Sequence, residues 1–157
     1  MAATSDLDRV DRDILQALIE DGRASVERVA EIVNLSPTPV RRRIRRLEQA
    51  GVITGYRAEV DAGKCGLDLT VYVLVTLQTG DAQLMNRFEA AVNQMPEVIK
   101  CDLLAGPNCY VLIVKVASMG EYNTYLREAL VNLPGVYAIE SRIVIGPVKD
   151  TSHLPLG

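Results

Sequence analysis

An internal repeat in the second half of the chain is the feature that most constrains its fold. The segment YVLV at 72–75 recurs as YVLI at 110–113, and MPEV at 95–98 recurs as LPGV at 133–136 with the same offset. Each copy reads as a strand, an amphipathic helix, a turn containing proline and a second strand. Two such units in succession predict a βαββαβ order, the split βαβ or ferredoxin-like arrangement.

The repeat also predicts a sheet with two different faces. One face takes both helices, and the other lacks a covering layer. Alternation along the first strand makes that second face apolar, through Val71, Val73, Val75 and Leu77 or through their neighbours. Because exposed apolar surface of this size usually meets a partner, we expect at least a homodimer.

The first part of the chain, over 7–50, has the apolar periodicity of three short helices. Ser25 is a favourable N-cap for the second helix, and Pro37 fits the first turn of the third. Asn34 readily takes the left-handed conformation that ends a helix. Two short helices joined by a tight turn, with another packed behind them, form a helix-turn-helix motif.

The segment after these helices predicts a wing and a domain boundary. VITGYRAEV at 52–60 alternates around Gly55, which indicates a small β-wing that passes into a linker strand. DAGKCG at 61–66 is the predicted linker. We therefore expect an α+β protein with two domains, a winged helix-turn-helix over 1–60 and a ferredoxin-like βαββαβ domain with a C-terminal tail over 67–157.

The third helix concentrates positive charge on one side. Arginine occupies every position from 41 to 46 except Ile44, although the chain has a formal net charge of -3. Turns of about 100° per residue place Val40, Ile44 and Leu47 together, so the arginines project from a helix whose back is apolar. We call Arg41, Arg42, Arg43, Arg45 and Arg46 the arginine ridge.

A helix with such a ridge fits the major groove of DNA, where arginine bonds guanine edges or phosphates. The alternative is a solvated helix side with internal ion pairs, but Glu48 is the single acid of this helix. Arg43 falls beside the apolar side, which favours pairing with an acid or a phosphate at the domain edge. We predict contacts to double-stranded DNA from Ser36, Thr38, Arg41, Arg42, Arg43, Arg45, Arg46 and Gln49.

Other residue types argue against catalysis. His153 is the lone histidine, and Cys65, Cys101 and Cys109 fit no zinc pattern, so we expect neither an enzyme nor a metal or cofactor. The sequence contains no apolar run of membrane-spanning length, and its start is too polar for a signal peptide. We therefore expect a cytoplasmic protein.

Taken together, the motifs resemble the Lrp/AsnC (leucine-responsive regulator and asparagine regulator) family of bacterial and archaeal transcription factors. The resemblance implies a DNA-binding domain joined to a RAM or ACT-like regulatory domain, and dimers that commonly assemble further, often into octamers. It also implies small effectors, usually amino acids, bound between regulatory domains. The matching segments are LDRVDRDIL at 7–15, DGR at 21–23, LSPTPV at 35–40, RIRRLEQAGVITGY at 43–56 and AGPNCY at 105–110.

The resemblance further implies an effector pocket at the turn between the second and third strands of the sheet. The family usually has an aspartate where this chain has Cys109, and a carboxylate there would receive the ammonium group of an effector. Asn108 offers a neutral acceptor instead. Carried over by position, the pocket residues are Leu104, Gly106, Asn108, Cys109, Tyr110, Met119, Arg142 and Val144.

Two further functions stay open beside an effector-controlled regulator. One is an architectural protein that binds DNA without any effector. The other is a thiol-based redox regulator that uses Cys109, although the surrounding turn offers no positive charge in sequence that would activate the thiol.

Overall fold

The computed structural model describes residues 7–106 and 109–149. Asn108 and His153, which figure in the sequence predictions, lie outside the described residues. Contacts within the chain divide it after Glu59, and Val60–Val148 forms a separate compact unit. Each unit has its own apolar core. No helix in the described ranges is both long enough and apolar enough to cross a membrane.

Three helices around one apolar core form the first unit. Helix α1 spans Arg9–Glu20, α2 spans Val26–Ile32 and α3 spans Pro37–Gln49. Each helix turns its apolar stripe inward, so the shared core fixes the side of α3 that faces away from solvent. The buried side chains are Ile14, Leu15, Ala17, Val29, Ala30, Val40, Ile44 and Leu47.

Local signals at the helix ends are confirmed. The Ser25 hydroxyl accepts the Arg28 N–H at 3.1 Å, which caps α2. Asn34 has a φ of 55°, the left-handed conformation predicted for the turn that leads into α3. Pro37 opens α3, where its missing N–H leaves no hydrogen bond unmade.

The segment after α3 differs from the predicted β-wing. Within the described part of the first unit no strand follows α3, and the 52–60 segment has no regular secondary structure. A strand needs a neighbour that satisfies its N–H and C=O groups, and residues 7–106 and 109–149 supply none here. Instead, Val52 and Ile53 pack against the helical core, and the Tyr56 hydroxyl donates to Glu48 at 3.0 Å.

The second unit is the βαββαβ domain that the repeat predicts. Its four strands form one antiparallel sheet in the order β2-β3-β1-β4, the ferredoxin-like arrangement. In chain order the elements are β1 Leu69–Leu77, α4 Ala82–Val92, β2 Val98–Leu104, β3 Cys109–Val116, α5 Met119–Glu128 and β4 Val136–Ile143. Short 3₁₀ helices span Gly63–Cys65 and Leu130–Asn132.

The two faces of this sheet differ as expected, with one correction. The set Val71, Val73, Val75 and Leu77 is at most 2% exposed and packs with Phe88 of α4 against the helices. Alternation therefore puts the neighbours of that set on the other face, which no described helix covers. We call that other side the open face; it carries Thr70, Tyr72, Leu74 and Thr76 of β1 and Cys109, Val111 and Ile113 of β3.

Candidate nucleic-acid interface and regulatory site

Side chains on the outer side of α3 line one continuous concave surface. Val40, Ile44 and Leu47 are at most 9% exposed and hold the opposite side of the helix against the core. Every residue predicted to contact DNA lines the concave surface except Ser36, an exposed residue at the N-cap of α3. The lining side chains are Thr38, Arg41, Arg42, Arg43, Arg45, Arg46 and Gln49.

Two ridge arginines are tied to acids of the first helix and its cap. Arg43 Nη1 lies 2.7 Å from Asp8 Oδ2 and 2.8 Å from Asp11 Oδ1. Arg46 Nη2 bonds the other carboxylate oxygen of Asp11. The structure thus gives Arg43 an acidic partner, one of the two kinds that the sequence favoured. The two ion pairs use Nη1 of the Arg43 guanidinium, a donor group that was predicted to contact DNA.

The other three ridge arginines, Arg41, Arg42 and Arg45, are exposed and have no bond to these two acids within the described residues. Arg41 Nη2 lies 3.3 Å from Glu27 Oε1 of α2, and the two side chains are 49% and 62% exposed. Exposed pairs of this kind contribute about 0–1 kcal/mol and exchange readily for other partners. Arg42 and Arg45 are exposed and make no ion pair within the described part of the chain. Their guanidinium groups carry the free positive charge of the ridge.

Asp11 is the residue of this site that the sequence reasoning missed. It is fully buried, and its carboxylate also accepts the Asp8 N–H at 3.3 Å, which closes a capping box on α1. The bond from the Asp11 N–H, and then the Arg43 guanidinium, lower the pKa of the Asp8 carboxyl. A signal was present, because Asp11 lies one turn before Ile14 and Leu15 on the buried side of α1, where acids occur only when paired.

The predicted effector residues lie on both faces of the sheet. Cys109 pairs with Thr76 and Leu104 on the neighbouring strands and belongs to the open face. Tyr110 points the other way, is 1% exposed and donates its hydroxyl to Glu89 at 2.8 Å. Burial, and then Glu89, raise the pKa of Tyr110 to about 12. The structure therefore removes the Tyr110 side chain from the predicted pocket, since consecutive strand residues face opposite sides.

A shallow pocket on the open face brings three of the predicted effector residues together, namely Leu104, Arg142 and Val144. Arg142 is the charged residue of its lining, and its Nη2 lies 2.6 Å from Glu140 Oε1. Gly106 and Met119 do not line this pocket. Strand alternation places three more residues in its lining that the sequence had not indicated, namely Tyr72, Leu74 and Val111, and Ile143 at the end of β4 completes it.

Comparisons with known proteins match both units. A model described as winged helix-turn-helix DNA-binding matches 7–54, and the Lrp/AsnC ligand binding domain matches 70–154. The leucine-responsive regulatory proteins of Salmonella typhimurium and Klebsiella pneumoniae are 40% and 39% identical over 149 residues, which are 95% of this chain and 91% of theirs. The chain belongs to the Lrp/AsnC family.

Solved structures agree with this membership in the Lrp/AsnC family. A transcriptional regulator from Neisseria meningitidis, solved in complex with L-Met, superposes with a TM-score of 0.90 at 33% identity and covers 96% of this chain and 97% of that one. An AsnC family regulator from Agrobacterium tumefaciens gives a TM-score of 0.89 at 32% identity, with 95% and 97% covered. This Lrp/AsnC protein is thus a DNA-binding transcriptional regulator with a ligand-binding domain, and not an enzyme.

Proposed function

We propose that this Lrp/AsnC regulator recognises specific operators through its arginine ridge, in the cytoplasm, where its DNA is found. The supporting observation is the state of Arg42 and Arg45, exposed on a helix whose back is packed and free of acids within the described residues. Arginine presents a fork of donors that matches guanine O6 and N7 or a phosphate. Thr38 extends the same surface toward the start of α3, the end with which such helices approach base edges.

Selection from a random duplex library, followed by titration of the selected operator, tests this proposal. Arg42→Ala and Arg45→Ala each weaken operator binding by about 1–3 kcal/mol and relax the selected sequence if the two side chains read bases. A uniform loss on all sequences, with a smaller salt dependence, assigns both to phosphate and makes the protein an architectural binder. Full-strength binding by both variants contradicts the proposal.

We also propose that the chain acts as a homodimer or as a higher oligomer, such as an octamer, built on the open face. Tyr72 is 42% exposed there, and Leu74, Val111 and Ile113 are only partly buried. The open face therefore leaves apolar surface accessible to solvent in the single chain. A symmetric dimer presents two copies of α3. Its operator is then an imperfect palindrome whose half-sites lie about one helical turn, or a multiple of it, apart.

An amino acid or a related metabolite is the proposed effector, bound between regulatory domains. The L-Met complex of the Neisseria relative and the pocket on the open face support this assignment. Arg142 suits an effector carboxylate because arginine and carboxylate form charge-assisted hydrogen bonds. Cys109 supplies no carboxylate for the ammonium group. That group must reach another acid, and Asp102 on the neighbouring strand is half exposed, 2.7 Å from Lys100.

Calorimetry with a panel of amino acids tests this assignment. Cys109→Asp restores the carboxylate and strengthens binding of at least one ordinary amino acid by about 1.5–3 kcal/mol, the contribution of a charged hydrogen bond. Cys109→Ser is the control, since it changes the side chain without adding charge. If the wild-type chain binds an ordinary amino acid and Cys109→Asp binds it no more tightly, Cys109 is a packing residue.

A further inference from the structure

We propose that Asp11 is a positioning residue for DNA binding, whose buried carboxylate orients the Arg46 guanidinium toward the phosphate backbone. This inference rests on the proposed function, because it takes the concave surface of α3 as the DNA interface. It adds that a residue outside this surface, on α1, decides how one of the ridge arginines is presented.

The geometry leaves the Asp11 carboxylate fully engaged. One oxygen accepts from Arg43 Nη1 at 2.8 Å, and the other accepts from Arg46 Nη2 and from the Asp8 N–H at 3.3 Å. Asp11 is 0% exposed, so water does not compete for these bonds. A buried carboxylate with this many partners holds them firmly, because releasing them leaves an uncompensated charge in the core.

The two arginines use this anchor differently. Arg43 is only 25% exposed and also bonds Asp8 at 2.7 Å, so it serves to neutralise the acids. Arg46 is 55% exposed and lines the same concave surface as Arg42 and Arg45. A guanidinium has five N–H donors, and within the described residues Arg46 is bonded to Asp11 alone, which leaves other donors for a phosphate. An arginine held at one end loses less conformational freedom when a phosphate binds it.

A purely Coulombic role for Asp11 predicts the opposite result. The carboxylate cancels positive charge beside the DNA surface, so on that view Asp11→Asn strengthens DNA binding. Positioning predicts that Asp11→Asn weakens it, even though the variant gains positive charge. The sign of the change therefore separates the two roles.

The test uses the full chain and a generic DNA duplex, since binding to phosphates needs no particular sequence. Fluorescence anisotropy over a range of salt concentrations gives the affinity and the salt slope for Asp11→Asn, Arg46→Gln, the double variant and Arg45→Gln. We expect Asp11→Asn and Arg46→Gln each to weaken binding several-fold and to lower the salt slope by about 0.9 for each phosphate that the variant no longer neutralises. The double variant should bind no more weakly than Arg46→Gln alone.

Other results overturn the inference and separate it from the proposed function. If Asp11→Asn binds DNA as tightly as wild type, Asp11 does not act through Arg46. The same conclusion follows if the fold-losses of affinity of the two single variants multiply in the double variant. If Asp11→Asn, Arg46→Gln and Arg45→Gln all bind DNA like wild type, the proposed interface itself fails. If Arg45→Gln is the one variant that weakens binding, the interface stands and the positioning role of Asp11 fails.

A second variant covers the case in which melting curves show Asp11→Asn to be unfolded. Arg46→Lys keeps the charge but replaces the planar fork with a point charge that does not hold both Asp11 and a phosphate in fixed geometry. We expect it to lose most of the affinity that Arg46→Gln loses. Wild-type affinity and salt slope for Arg46→Lys overturn the inference.

Discussion

At the scale of single residues, the five ridge arginines look alike in the sequence and differ in the structure. Arg43 is held by two acids, whereas Arg42 lies exposed with no acid beside it in the described residues. The difference originates outside α3, in the acids that α1 and its cap bring against it. We therefore expect the contribution of each ridge arginine to stability and to DNA binding to depend on what the fold places next to it.

Arg43→Ala should destabilise the protein far more than Arg42→Ala. Removal of Arg43 takes a partner from the buried Asp11 carboxylate, and hydrogen bonds to charged groups contribute about 1.5–3 kcal/mol. Arg42→Ala removes an exposed side chain and should change the free energy of unfolding by less than about 0.5 kcal/mol. Urea unfolding of the two variants is the measurement. Equal losses of unfolding free energy would show that the ion pair between Arg43 and Asp11 adds nothing to stability.

At the scale of elements, local signals predicted more than long-range ones did. The inner side of α3 followed from apolar periodicity, a property of neighbouring residues, and the βαββαβ order followed from the same periodicity together with the internal repeat. Both residue sets of β1 contain large apolar side chains, and the sequence prediction left open which set packs against the helices. The 52–60 segment carried a strand pattern, but a strand needs a neighbouring strand, and the described residues provide none for this segment. The ion pairs of Asp11 join distant parts of the sequence, so the local pattern of α1 indicates that this acid is paired but does not identify its partners.

The turn before β4 depends on a close approach that a glycine makes possible. Gly135 has a φ of 71°, and a Cβ added there would lie 2.5–2.7 Å from three side-chain atoms of Leu84 on α4. Gly66 has a similar φ of 79° with nothing within 4 Å of the added Cβ. Gly66→Ala therefore measures the backbone strain alone, about 1–2 kcal/mol.

Gly135→Ala should cost the same strain and, in addition, the displacement of Leu84, so we expect it to lower the free energy of unfolding more than Gly66→Ala does. Because both glycines belong to the second unit, one denaturant titration of that unit compares them. Equal losses would mean that α4 moves aside freely and that its packing against the turn is loose.

At the scale of the whole molecule, the open face is the surface on which the proposed assembly and operator symmetry rest. A sheet with one face against helices and one apolar face exposed has lower free energy when a second copy covers it. In the proposed dimer two copies of α3 are present, so we expect the operator to be a palindrome. The proposed assembly, operator symmetry and effector binding between domains would thus all depend on one surface.

Tyr72→Glu should break this assembly while leaving the domain folded. Tyr72 lies on the open face and is 42% exposed in the single chain, so a charge there costs little until a second copy covers it. Light scattering should report a multiple of 17.2 kDa for the wild-type chain and a smaller species for the variant, with circular dichroism unchanged. A 17.2 kDa species for the wild type at micromolar concentration would refute the dimer and the palindrome together.

The most direct test of the central claim is operator binding by the Arg42→Ala/Arg45→Ala double variant. Arg28→Ala is the matched control, because Arg28 is an exposed arginine of the same unit that lies on α2 and pairs with Glu31 at 3.0 Å. With the selected operator in an anisotropy titration, the double variant should lose at least about 2 kcal/mol of binding free energy, while the control stays close to wild type. Full-strength binding by the double variant, or an equal loss in Arg28→Ala, would contradict the assignment of DNA recognition to the arginine ridge.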